Sequence, residues 1–158
     1  LLWIDSGFRN VWRLLDVHAN GVPRLHVLAD RSNEMRIRSI KPDIWRSDDF
    51  TSLDDFGQLM FIGLMNYVDD NGVGKYNVVD FAADVFASHL ASDAYGTLQK
   101  ITEVFGSLSE RGMVQIYTAK ISGKDVNLVY LTNWDKHQQI SHPMKPRFPR
   151  PDADPGPC

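Results

Sequence analysis

Three helical patterns between Ser52 and Gly112, followed by an alternating pattern from Met113 to Leu131, predict an α+β domain of the winged helix-turn-helix kind, with three helices followed by a β-hairpin wing. The domain core is expected from about Ile37 to Trp134. At 158 residues with 43% apolar content, the chain supplies one good core and little material for a second. The only cysteine is Cys158, which rules out a disulfide framework or a cysteine-based zinc site and fits a reducing cytoplasm. No run approaches the roughly twenty apolar residues that span a bilayer, and the opening residues lack a signal-peptide pattern, so a soluble, cytoplasmic protein without membrane partners is expected.

The chain opens at Leu1, and Met35 begins a segment of different character. Residues 1–34 are therefore expected to be an extension upstream of the natural start. Within them Phe8, Val11, Trp12 and Leu15 share one face at helical spacing, which predicts a short amphipathic helix from near Ser6 to before Gly21, with Val22 to Leu28 extended. Dimerisation or docking is the functional option for this helix. Packing on the neighbouring domain, or disorder, is the plainer expectation and the preferred one.

A long core helix is predicted after Thr51 or Ser52, with Asp54 and Asp55 in its first turn, where the helix dipole favours negative charge. Leu53, Phe56, Met60, Leu64 and Tyr67 form its apolar stripe, widened by Leu59, Ile62 and Val68. Asp69 to Gly74 holds two glycines and an asparagine, so the chain turns there. Asn77 caps a second helix through Phe86, with Val78, Phe81, Ala82 and Val85 inward. Ala87 to Ser92 is small and polar and reads as a connection. The third helix starts between Ser92 and Thr97, carries Leu98, Ile101, Phe105 and Leu108, and stops at Gly112, a residue suited to a left-handed C-terminal position.

Met113 to Ala119 and Val126 to Leu131 read as strands joined by a turn at Ser122 to Asp125. Beyond Trp134 the composition shifts, and six of the eight prolines lie from Pro143 to Pro157. Residues 35–142 thus form the domain with its basic flanks, and 143–158 a proline-rich, disordered tail.

Formal net charge is −3, which argues against a nucleic-acid-coating protein, but its distribution is uneven. Arg36, Arg38, Lys41 and Arg46 precede the core with Asp43 as the sole acid between Met35 and Ser47. Lys136, Lys145, Arg147 and Arg150 follow it with no acid among them. From Asp48 to Glu110 acids dominate, and Lys75 and Lys100 are the only lysines or arginines. Two flanks leaving on one side would make a single basic surface for a polyanion. The plainer alternative pairs Arg36 and Arg46 with Asp43, Asp48 and Asp49.

The third helix of such a domain enters the major groove while the wing follows the backbone. Its exposed side is expected to offer Thr97, Gln99, Lys100, Glu103, Ser107 and Glu110. Gln99 suits adenine and Lys100 guanine or a phosphate, whereas Glu103 and Glu110 oppose phosphates. A solvated, protein-binding face competes seriously with this reading. Lys120 and Lys124 at the wing suit a phosphate clamp, or serve solubility alone. Trp45 and Trp134 bracket the domain and are expected as core anchors, with base stacking the second option. Asp69 to Gly72 lacks the alternation and closing glutamate of a calcium loop, and His137 and His142 lack a third ligand. No nucleophile-and-base pair or glycine-rich phosphate loop occurs, so neither a cofactor nor an enzyme activity is expected.

Three phrases, Met35-Arg-Ile-Arg-Ser-Ile-Lys-Pro-Asp-Ile-Trp-Arg-Ser-Asp48, Leu59-Met-Phe-Ile-Gly-Leu-Met-Asn-Tyr-Val-Asp-Asp-Asn-Gly-Val-Gly74 and Asn133-Trp-Asp-Lys-His-Gln-Gln-Ile140, occur in that order. Together they resemble the N-terminal winged-helix domain of actinobacterial phage and prophage replication-initiation, or helix-turn-helix DNA-binding, proteins over roughly residues 35–148. The resemblance implies duplex DNA binding in replication initiation or transcription control inside a bacterial host cell, and supports Met35 as the natural start. The alternative is an interaction module that recruits or inhibits a replication partner such as a replicative helicase or its loader.

Overall fold

The computed structural model describes residues 35–151 and the backbone strands β1 (Leu15–Val17) and β2 (Pro23–Leu25), which pair antiparallel. The helix expected from Ser6 to Gly21 is replaced by strand at Leu15–Val17, where backbone pairing with β2 prevails over helical spacing; its remaining residues lie outside the described ones. β2 falls within the stretch expected to be extended.

A 3-10 turn (Pro42–Arg46) leads into α1 (Asp48–Thr51) and α2 (Asp55–Tyr67). Asp54 is the N-cap of α2 rather than part of its first turn, accepting the Gly57 amide at 2.8 Å. Met60, Phe61, Leu64, Met65 and Tyr67 are buried, whereas Leu59 points outward, against expectation. Phe61 and Met65 widen the buried stripe on the side that faces the N-terminal flank. The Asp69 to Gly74 stretch turns as expected, but its end is a strand, β3 (Val73–Lys75), too short to stand out among glycines.

α3 (Val78–Val85) is capped by Asn77 as predicted, its side chain accepting the Val79 and Asp80 amides. The supposed connection that follows is a helix, α4 (Ala87–Ser92). It forms because Leu90 packs on the core while the His89 ring meets Phe86 and Phe56 edge-on. α5 (Ala94–Glu110) ends as the sequence requires. Gly112 takes φ +69°, its amide bonds the Ser109 carbonyl, and the Met113 amide reaches back to Leu108, the paired bonds that close a helix on a left-handed residue.

The hairpin strands β4 (Val114–Ile121) and β5 (Lys124–Leu131) are longer than predicted, because the turn needs only Ser122 and Gly123, both at positive φ. β5 lies between β3 and β4 in an antiparallel sheet, and α6 (Trp134–His137) follows. The core lies between this sheet and α2, α3 and α5. Its centre is aromatic: Phe81 meets Tyr67 at 5.2 Å and Phe105 at 5.4 Å between ring centroids. Each such buried side chain contributes about 1.5–3 kcal/mol of burial free energy. No described helix is long and apolar enough to cross a membrane.

Residues 143–151 contain no helix or strand, but the disordered tail expected there is corrected: the segment is tied down as a strap. Asp70 accepts the Met144 amide at 3.0 Å, Asp69 accepts that of Arg147 at 3.1 Å, and the Asn71 side chain donates to the Phe148 carbonyl. Tyr117 donates to the Pro149 carbonyl, and the Arg150 guanidinium lies 5.4 Å over Tyr130 while forking onto Asp135 at 2.8 Å twice. Tyr117, Leu128, Tyr130 and Val73 share the sheet face turned away from the helices, as the pairing register requires. Val73 and Leu128 are fully buried there. Polar anchoring, rather than apolar surface, offsets the ordering entropy of the strap, which is why composition alone missed it. Residues 152–158 lie outside the described residues.

Candidate nucleic-acid interface

The two basic flanks meet. Gln138 is buried and clasps Ser39 in both directions, its Nε2 donating to the Ser39 carbonyl at 2.8 Å and its Oε1 accepting the Ser39 amide at 3.3 Å. The Lys41 ammonium donates to the Lys136 carbonyl at 2.6 Å, and the Arg36 guanidinium reaches the Met144 sulfur. Reciprocal backbone and side-chain bonds between Arg36 and Asn66 fix this segment against α2. Lys41 and Lys136 are thereby brought together, and both line the cleft at this junction. Burial, with the neighbouring Lys41 and Lys136 ammonium groups adding to it, lowers the His137 pKa. The alternative pairing of Arg36 and Arg46 with Asp43, Asp48 or Asp49 does not occur among the described residues.

Arg38 leaves the candidate set. Its side chain is only 4% exposed, with its guanidinium on Asp70 at 2.8 Å and on the Met65 and Val68 carbonyls that end α2, 5.0 Å over the Trp134 ring. A cation there satisfies the orphan carbonyls of a helix C-terminus. Burial raises the Asp70 pKa, but the Met144 amide and Arg38 outweigh it and hold the carboxyl below its ordinary range. Arg147 contributes its backbone amide to the strap and leaves its side chain exposed.

The third helix of the sequence reading is α5, and its surface is poor in free cations. Thr97 is buried, not exposed, because it sits one turn before Ile101 on the inward stripe. Lys100 reaches Asp54 at 2.8 Å, a contact that raises the lysine's pKa and lowers the carboxyl's. Gln99 is exposed but donates to Glu103 at 3.2 Å. Glu103 and Glu110 face solvent, and Tyr95, which the sequence reading passed over, is 81% exposed at the start of the helix.

Lys120 and Lys124 are exposed beside the hairpin turn, with Asp125 at the register position opposite Lys120. Of Trp45 and Trp134, Trp134 is a core anchor as expected, 1% exposed and donating to the Asp70 carbonyl at 2.9 Å. Trp45 is not: it is 56% exposed, because the 3-10 turn directs Ile44, rather than Trp45, against the core. Among the described residues no group of three His, Cys, Asp or Glu side chains is placed to hold a metal. No family model, curated protein or solved structure matches the chain.

Proposed function

We propose that this is a winged-helix DNA-binding domain of phage or prophage origin, acting in replication initiation or transcription control, which holds DNA chiefly through its joined basic flanks and its wing. The helix, strand and hairpin order from α2 to β5 and the β3-β5-β4 sheet support the winged-helix assignment. The observation that carries the functional reading is the junction of the flanks at Ser39–Gln138 and Lys41–Lys136. On this reading the junction lets two basic runs that are separate in sequence act together on a polyanion. α5 is secondary, since its lysine is engaged and its free charges are acidic. Replacing Lys120 and Lys124 with Ala should weaken binding to every duplex alike and reduce the salt slope by roughly two if each lysine touches one phosphate. Fluorescence anisotropy over a salt series checks this, and an unchanged slope removes the wing from the interface.

The acidic, cation-poor surface of α5 with its exposed Tyr95 favours a second reading, a protein-interaction surface for a replicative helicase or its loader. Salt-insensitive capture of such a partner, without DNA binding at low salt, would favour it over the first.

A further inference from the structure

We propose that the joined flanks hold an unpaired stretch of DNA, one base stacking on Trp45 and the next entering the adjoining cleft; this rests on the nucleic-acid reading of the same face. Trp45 lies in the 3-10 turn with Lys41 just before that turn and Arg46 beside it in sequence. An edge-on contact to buried Phe50, 5.5 Å between centroids, holds the ring while over half of the residue stays open. An exposed aromatic ring held on a core aromatic suits stacking on single strands, because every base has a π-face and a stacked duplex does not offer it.

The cleft, of about 380 Å³, opens where the flanks meet and falls within the size range of small-ligand sites. Phe61 and Met65 form part of its apolar lining, and Lys41 and Lys136 also line it together with Asp43 and Asp49. The charges divide by chemistry. The two lysines suit backbone phosphates, and the two carboxylates, which would repel phosphate, accept the exocyclic amino groups of adenine, cytosine or guanine. In a duplex those amino groups are largely engaged in pairing and the base faces are stacked, so only an unpaired nucleotide satisfies apolar lining and carboxylates together. The site therefore favours amino-bearing bases over thymine.

The test is anisotropy of labelled 15-nucleotide dA, dC and dT strands and of a 15-base-pair duplex on the full chain, with Trp45→Ala, Trp45→Phe and the paired Asp43→Asn, Asp49→Asn variant. We expect single strands to bind more tightly than duplex, Trp45→Ala to weaken single-strand binding roughly ten-fold with little effect on duplex, and Trp45→Phe to recover most of the loss. The Asn variant should erase the preference of dA and dC over dT. Loss of the Phe50 contact should lower the melting temperature of Trp45→Ala only modestly and that of Trp45→Phe less, and melting curves showing both variants folded at the titration temperature separate stacking from folding. Duplex binding that depends on Lys120 and Lys124 but ignores Trp45 overturns this inference and leaves the proposed function standing. No binding to any DNA at low salt overturns both. Self-association abolished by Trp45→Ala, with DNA binding unaffected, assigns the face to a second copy of the chain and overturns the inference alone.

Discussion

Replacing Arg38 with Ala should destabilise the domain by about 3–5 kcal/mol, the scale for breaking a buried ion pair from one side. The loss has three parts. Asp70 keeps a buried carboxylate with only the Met144 amide as partner, the Met65 and Val68 carbonyls lose their donors, and the Trp134 ring loses the cation over its face. Arg38→Lys should recover only a fraction, since one ammonium cannot fork across a carboxylate and two carbonyls. Adding Asp70→Asn to Arg38→Ala should cost less than the two single changes summed, because the orphaned charge is removed with its partner. Urea unfolding of the four variants checks this, and a change within about 0.5 kcal/mol for Arg38→Ala would mean that the Arg38–Asp70 pair does not hold the domain together.

Trp134→Ala should cost a similar amount, about 3–5 kcal/mol, through loss of a fully buried aromatic. Its consequences reach further than the cavity. The indole donates to the Asp70 carbonyl and packs so tightly on the Asp69 to Gly74 turn that a Cβ at Gly72 would lie 2.6 Å from its Cγ, at a φ of +79° that disfavours any side chain. This turn supplies Asp69 and Asp70 to the strap and starts β3. Trp134→Ala should therefore loosen residues 143–151 as well, which amide exchange at Met144 and Arg147 detects. Trp134→Phe, which keeps a ring but not the donor, should fall between the two. Additive losses for Arg38→Ala and Trp134→Ala would contradict their contact, since touching residues couple.

The elements that periodicity and capping define were legible in the chain: α2, α3, α5 and the hairpin stand where apolar spacing, Asn77 and Gly112 put them. What was not legible depends on partners distant in sequence. β3 is a strand only because β5 lies beside it, and α4 is a helix because Leu90 and His89 have aromatic neighbours. Arg38 reads as one more flank cation until the end of α2 and Trp134 close over it. Thr97 is different, because its place one turn before Ile101 was readable as inward and its polarity misled. Trp45 and Trp134 look equivalent in the sequence, and only the 3-10 turn separates the exposed ring from the buried one. The junction of the flanks was foreseen as a condition; Gln138, which fastens it, carried no signal of its own.

Under the proposed function the joined flanks, rather than the surface of α5, supply the charge that holds DNA. The salt dependence of binding measures this directly, comparing wild type with the triple variant Lys41→Gln, Arg46→Gln, Lys136→Gln and with Gln99→Ala. Loss of the three cations should reduce the slope of log K against log salt by roughly two to three, the number of counterions no longer released, while Gln99→Ala leaves the slope unchanged. A slope that is the same in the triple variant as in wild type would contradict the claim.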